Sequence, residues 1–195
     1  MFGIIGRLIN RFRRQPAPDP TPDPTPNPTP GDFDADVELQ RVFDLQNQAR
    51  RNSRISPLLR NAKLDAAAVS HAIDLARRGG LGADGHRGSD GSRASDRITR
   101  EGYKWTWSGE NVAAGQRSGQ EVFKAWMQST GHRENILRTA FRECGLAVAV
   151  DSRGGLYWVV TFAAPAASGT PRALYFTCYE PGGLVREWVV DSKNA

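Results

Sequence analysis

The sequence predicts an α+β fold in which helices come first and antiparallel strands last. Three observations carry this. Between residues 36 and 138, apolar residues recur at helical spacing and are punctuated by capping residues and glycines. After residue 144, two apolar, β-branched runs flank the turn Arg153-Gly154-Gly155. Ahead of both lies a proline repeat that cannot belong to a packed core.

The chain has 195 residues, enough for one domain plus extensions. Residues 1–14, MFGIIGRLINRFRR, place Phe2, Ile5, Ile9 and Phe12 near one helical face and Arg7, Arg11 and Arg14 on another. This is a basic amphipathic tail, suited to a membrane surface or to docking on a partner. It lacks the charge order and small-residue cleavage site of a secretory signal, and it is too short to span a bilayer. Residues 15–32 hold eight of the twelve prolines and read as an extended polyproline spacer. Residues 33–168 are expected to form the domain, and residues 169–195 a β-hairpin extension turning at Pro181-Gly182-Gly183.

Within the domain, Asp36 is expected to cap a first helix running to Arg51, with Val37, Val42, Leu45 and Ala49 on its inner side. Ile55, Pro57 and Leu58 form a connector. A second helix, Leu64 to Arg78, carries a narrow stripe of Ala68, Ala72, Leu75 and Ala76 for close packing, and Gly79-Gly80 ends it. His71 lies beside that stripe with apolar helical neighbours and reads as a core-edge histidine. The loop 81–95 contains His86 without any periodic reason for burial, so its imidazole is a functional candidate. Ser92 or Ser95 starts a short helix ended by Gly102, and Tyr103, Trp105 and Trp107 alternate as an extended piece. In Gly109-Glu110-Asn111, a carboxylate stands among small and apolar residues, and burial there demands a partner. Ser118-Gly-Gln-Glu121 is a capping box for a helix with Val122, Phe123, Trp126 and Met127 inward. A short helix from His132 to Arg138 follows, and then strands from Cys144 to Val150 and from Leu156 to Phe162.

Hydrophobic residues make up 39% of the chain and charged ones 24%, a balance that fits a globular domain once the proline repeat is set aside. The net charge is +5, without dense basic runs interleaved with aromatics, and this speaks against a nucleic-acid partner. The two cysteines, Cys144 and Cys178, are too few for a thiolate zinc site. One disulfide and two buried thiols are both open.

Taken in order, several stretches resemble the CAP superfamily, also called SCP or PR-1-like, and most closely its bacterial branch. They are Leu45-Gln-Asn47-Gln-Ala-Arg50 with Pro57-Leu58, the alanine-rich helix through His71, His86 with Ser95-Asp96-Arg97-Ile98, and Gly109-Glu110-Asn111. The most specific is Trp126-Met-Gln-Ser129-Thr-Gly-His132-Arg-Glu-Asn135-Ile-Leu, followed by Cys144-Gly145 and Tyr157-Trp158. The resemblance implies a three-layer α–β–α sandwich around a small antiparallel sheet, and a cleft of two histidines and two acids.

His86, Glu110 and His132 match three of those positions. The second acid would fall three residues after Trp126, where this chain has Ser129. Asn111, Ser129 and Asn135 would line the same cleft. The metal-ligand set implied is His86, His132 and Glu110, with Zn²⁺ or another divalent cation as the expected cofactor. Glu110 could instead accept the far N–H of one imidazole and fix its tautomer. Glu110 and His132 would also be the catalytic candidates of a metal-dependent hydrolase, although neither the zincin nor the nucleophile-elbow pattern is present. The main expectation is a binding module, exported or tethered at the cell surface, whose ligand is a metal, a lipid-like molecule, or a cell-envelope or host component.

Overall fold

Asp34, rather than Asp36, caps the first helix: its carboxylate accepts the amides of Asp36 and Val37. The computed structural model describes residues 33–166 in full, and residues 173–179 and 185–191 as backbone. The tail 1–14, the linker 15–32, the turn Pro181-Gly182-Gly183 and the Cys178 side chain lie outside the described residues.

Helix α1 (Ala35–Asn52) does not bury the face its apolar spacing suggests. Val37 is exposed, and the inward stripe is Glu38, Val42, Gln46, Asn47 and Arg50. Most of these polar residues reach backbone groups. Asn47 takes both the N–H and the C=O of Leu58, at 2.7 and 3.1 Å. The wholly buried Arg50 donates to the carbonyls of Ser56, Ile136, Arg138 and Phe141. Its planar fork thus joins the segment after α1 to the segment 136–141. This gives Asn47, Arg50 and Leu58 a common physical purpose that hydrophobic periodicity cannot show.

Strand β1 (Leu59–Arg60) follows, and then helix α2 (Ala62–Arg78), which Asn61 caps and Gly79 closes in the left-handed conformation. Helix α3 (Ala94–Arg100) starts at Arg93 rather than at Ser92 or Ser95, because Asp96 reaches back to the Arg93 amide. Strand β2 (Trp105–Ala114) runs straight through Glu110. Its sequence hides it, since Gly109, Glu110 and Asn111 all have weak strand preference. Helix α4 (Gly119–Gln128) begins at the predicted cap: Ser118 Oγ accepts the Glu121 amide, while the Glu121 carboxylate takes the Arg117 amide. Helix α5 (Thr130–Leu137) follows after the single residue Ser129, and strands β3 (Glu143–Val150) and β4 (Leu156–Pro165) complete the domain. Beyond it, β5 (Ala173–Tyr179) and β6 (Val185–Asp191) pair antiparallel as a separate two-stranded sheet.

The main sheet has the order β1-β3-β4-β2. It is mixed rather than purely antiparallel, because the two residues of β1 run parallel to β3. On one face, Val42, Val122, Trp126 and Ile136 pack against Cys144, Leu146, Trp158, Val160 and Phe162. On the other, Ala68, Ala72 and Leu75 cover Ala147, Tyr157 and Val159, with Leu64, Ala67, Ile98 and Tyr103 beside Ala163. Helices α1, α4 and α5 form one outer layer, and α2 and α3 the other. Strand β4 is buried on both faces, which explains its near-continuous apolar run, broken only by Thr161. The small-residue stripe of α2 lets it lie directly on β3: a Cβ on Gly145 would stand 1.9 Å from the Leu64 carbonyl carbon.

Cys144 is a free, fully buried thiol on β3. Burial pushes its pKa up to about 12, and without thiolate the sulfur is inert. In a Cys178→Ser background, a disulfide reagent such as DTNB is expected to leave the folded protein unmodified and to label it once denaturant is added. Rapid labelling of the folded protein would contradict this placement.

Candidate functional site

The site forms at the free edge of the main sheet, on β2, where the two helical layers meet. Alternation along β2 sends Val112 toward α2 and Ala113 toward α4. Glu110 therefore points to the α2/α3 side and Asn111 to the α5 side.

On the first side, Glu110 is buried and both its carboxylate oxygens are taken. Oε2 accepts Nη2 of Arg97 at 2.7 Å, and each of these side chains is only 3% exposed. Oε1 accepts Nδ1 of His86 at 3.0 Å. Arg97 also donates to the carbonyls of Ser92 and His86, so it ties the loop 86–92 to the carboxylate. A buried acid here finds a cation and an imidazole, which is what desolvation of its charge requires.

The His86 ring is partly exposed, and its Nδ1 proton faces Glu110. In the neutral ring, Nε2 then carries the lone pair. The hydrogen bond to Glu110 raises the His86 pKa above its ordinary value despite burial.

On the other side, Asn111 and Asn135 fasten α5 to β2. Asn111 Nδ2 donates to the carbonyl of His132 at 3.0 Å, and Asn135 Nδ2 donates to Asn111 Oδ1 and to the Glu110 carbonyl. These bonds tie both side-chain amides into the junction of β2 with α5. His132, on the first turn of α5, has its pKa lowered by burial and then by the nearby His86. Among the described residues, its ring has no hydrogen-bond partner. The two imidazoles thus lie on opposite sides of β2, His86 on its loop beside Glu110 and His132 on α5.

Ser129 separates α4 from α5, ending one and starting the other, and its side chain makes no capping bond. Glu121 is committed to its capping role and Glu134 is exposed. Neither supplies a second acid to the cleft.

Arg97 is visible in the sequence only as part of a motif, and its pairing with a residue thirteen positions away has no periodic signature. His71 is fully buried rather than at the core edge. Its Nε2 lies 2.7 Å from the carbonyl of Gly85, and the same nitrogen is 3.8 Å from Glu110 Oε1, too far for a hydrogen bond. Burial lowers its pKa, so the ring is neutral and its Nε2 proton belongs to Gly85.

As a cation site, the donor set present fits in part. Two neutral imidazole nitrogens suit zinc, whereas Glu110 is held by Arg97 and His86. Among the described residues, no group of three or more His, Cys, Asp or Glu side chains is disposed to hold a metal ion. A divalent cation would be held by His86 and His132, and its other positions would fall to water or to a ligand.

A sequence model described as "CAP: Cysteine-rich secretory protein family" matches residues 43–162. The chain is 31% identical over 123 residues to the uncharacterized protein YkwD of Bacillus subtilis, covering 63% of this chain and 46% of YkwD. It therefore spans about half the length of that relative. Among solved structures, it is similar to an extracellular SCP-domain protein of Bacillus anthracis, at 26% identity and a TM-score of 0.57, covering 66% of this chain and 41% of that one. An outer surface protein of Borrelia burgdorferi shares the fold, with a TM-score of 0.63 at 19% identity, over 69% of this chain and 97% of that one.

Proposed function

The chain belongs to the CAP, or cysteine-rich secretory protein, family, and from that membership and the geometry of its cleft we propose an exported or surface-associated binding module. Its cleft presents the imidazoles of His86 and His132 to a divalent cation or to a ligand held through one. The observation that carries this reading is the engagement of both Glu110 oxygens, by Arg97 at 2.7 Å and His86 at 3.0 Å. A carboxylate so committed orients an imidazole and strengthens it as a donor, but is not free to take a proton from water. The hydrolase alternative needs such a base, and the other acid beside His86, Asp84, already accepts the His86 amide at 3.0 Å. The extracellular B. anthracis protein supports the placement outside the cell.

The expected outcome is one zinc ion per chain for wild type and a loss of at least tenfold in affinity for His86→Ala and for His132→Ala, measured by calorimetry on folded protein. Equal zinc binding by all three would remove the two-imidazole reading. Binding should also weaken on acidification, because a cation must displace the proton that Glu110 helps His86 retain.

The basic tail 1–14 fits the same placement as a contact with a membrane surface. Anionic liposomes should sediment the full chain and leave behind a chain lacking residues 1–14. Equal sedimentation would end that proposal.

A further inference from the structure

His71 takes no part in the cleft surface, yet it is polar, 1% exposed, and placed where the α2 stripe would accommodate an apolar residue. Its burial is costly. Nε2 is satisfied by the Gly85 carbonyl, whereas Nδ1 has no partner among the described residues. A side chain retained at that cost is better explained by what it holds than by core stability.

What it holds is the peptide just before His86. The Gly85 carbonyl receives the His71 proton at 2.7 Å, and the His86 carbonyl receives Arg97 Nη2 at 3.2 Å. The carbonyls on both sides of the His86 Cα are therefore gripped by buried side chains, one from α2 and one from α3. The ring itself is held by Glu110. A second tie from α2 lies three residues on, where Asp74 accepts the amide and hydroxyl of Ser89. Without such ties, a segment reading Asp84-Gly-His-Arg-Gly would have wide backbone freedom. The His86 ring would then be poorly placed on Glu110.

We infer that His71 is a positioning residue of the cleft, which fixes the His86 imidazole on Glu110 by holding the Gly85 carbonyl. This rests on the reading of the cleft as a two-imidazole cation site. The mechanism is preorganisation: the loop is ordered before the cation arrives, so binding does not bear that entropy.

The test uses the full chain with His71→Met, which fills the space without a donor, and His71→Gln, whose amide can restore the donor to Gly85. Three quantities are read: the thermal midpoint, the Zn²⁺ dissociation constant, and amide hydrogen exchange over residues 84–89. The Met variant is expected to keep or raise the midpoint while weakening Zn²⁺ binding about tenfold or more and speeding loop exchange. The Gln variant should stay close to wild type in both. Wild-type zinc binding and loop exchange in the Met variant would overturn the inference, as would equal losses in both variants. If wild type itself takes up no zinc, but loop exchange rises in the Met variant alone, the cation reading falls while the tether of Gly85 stands.

Discussion

Replacing Glu110 with alanine is expected to cost about 3–5 kcal/mol of folding stability, because it leaves the Arg97 guanidinium buried without its anion. Arg97 has little other compensation. Its Nε already has no partner among the described residues, and its remaining bonds go to neutral oxygens. Denaturant titration of Glu110→Ala, Arg97→Met and the double variant forms a cycle that isolates the pair. The double variant should be much less destabilised than the sum of the two, since removing both charges removes the desolvation penalty as well. Simple additivity would show that the pair is not coupled as the 2.7 Å contact requires.

The same substitution has a signature in pH. Glu110 is the main cause of the raised His86 pKa, so in Glu110→Ala that pKa should fall toward or below the ordinary histidine value. A group whose folded pKa is raised adds stability at pH values below its unfolded pKa and loses it as pH rises through the folded one. The stability that His86 contributes is thus greatest in mild acid and fades toward neutrality and above. His71 and His132, with lowered pKa values, act in the opposite sense and cost stability as pH falls below about 6.5. An imidazole NMR titration of wild type and variant reads the His86 shift directly.

Gly145→Ala is expected to be the most damaging single methyl addition in the domain. The new Cβ would meet the Leu64 carbonyl carbon at 1.9 Å and the Asp65 nitrogen at 2.1 Å. Both are backbone atoms in the first turn of α2, so no side-chain rotation relieves the clash. Helix α2 would have to lift from β3, taking with it the Asp65 carboxylate that accepts the Leu146 amide at 2.8 Å. Overpacking of this kind costs about 3 kcal/mol or more, which lowers the melting temperature by roughly 10 °C for a domain of this size. A change within a degree or two would show that α2 does not rest on the sheet at this point.

Gly145 also shows what is and is not legible in the chain. The stripe Ala68, Ala72, Leu75, Ala76 announces a closely packed helix, and the run from Leu156 announces a buried strand. That the helix must touch the sheet at Gly145 depends on register across the sheet, which local spacing does not encode. The site divides in the same way. His86, Glu110 and His132 stand out because each is a polar group that local periodicity cannot explain. Asn111 and Asn135 are expected in the cleft from their neighbours in sequence, and the structure shows them tying α5 to β2. Arg97 escapes notice because a helical arginine looks solvated until the strand carrying its carboxylate is in place. The helical neighbours of His71 suggest only a core edge, whereas its partner is a backbone carbonyl in a loop. The buried polar face of α1 is hidden for the same reason. Asn47 and Arg50 are satisfied by backbone carbonyls, and carbonyls leave no trace in a sequence.

In the proposed cleft Glu110 orients an imidazole, and His86 and His132 together meet the ligand. A crystal structure of the zinc-soaked protein, with anomalous data at the zinc edge, tests it most directly. The expected result is one anomalous peak bonded to Nε2 of His86 and to the His132 ring, with Glu110 still on Arg97 and on His86 Nδ1. A peak ligated by Glu110 itself, or no peak between the two imidazoles, would contradict it.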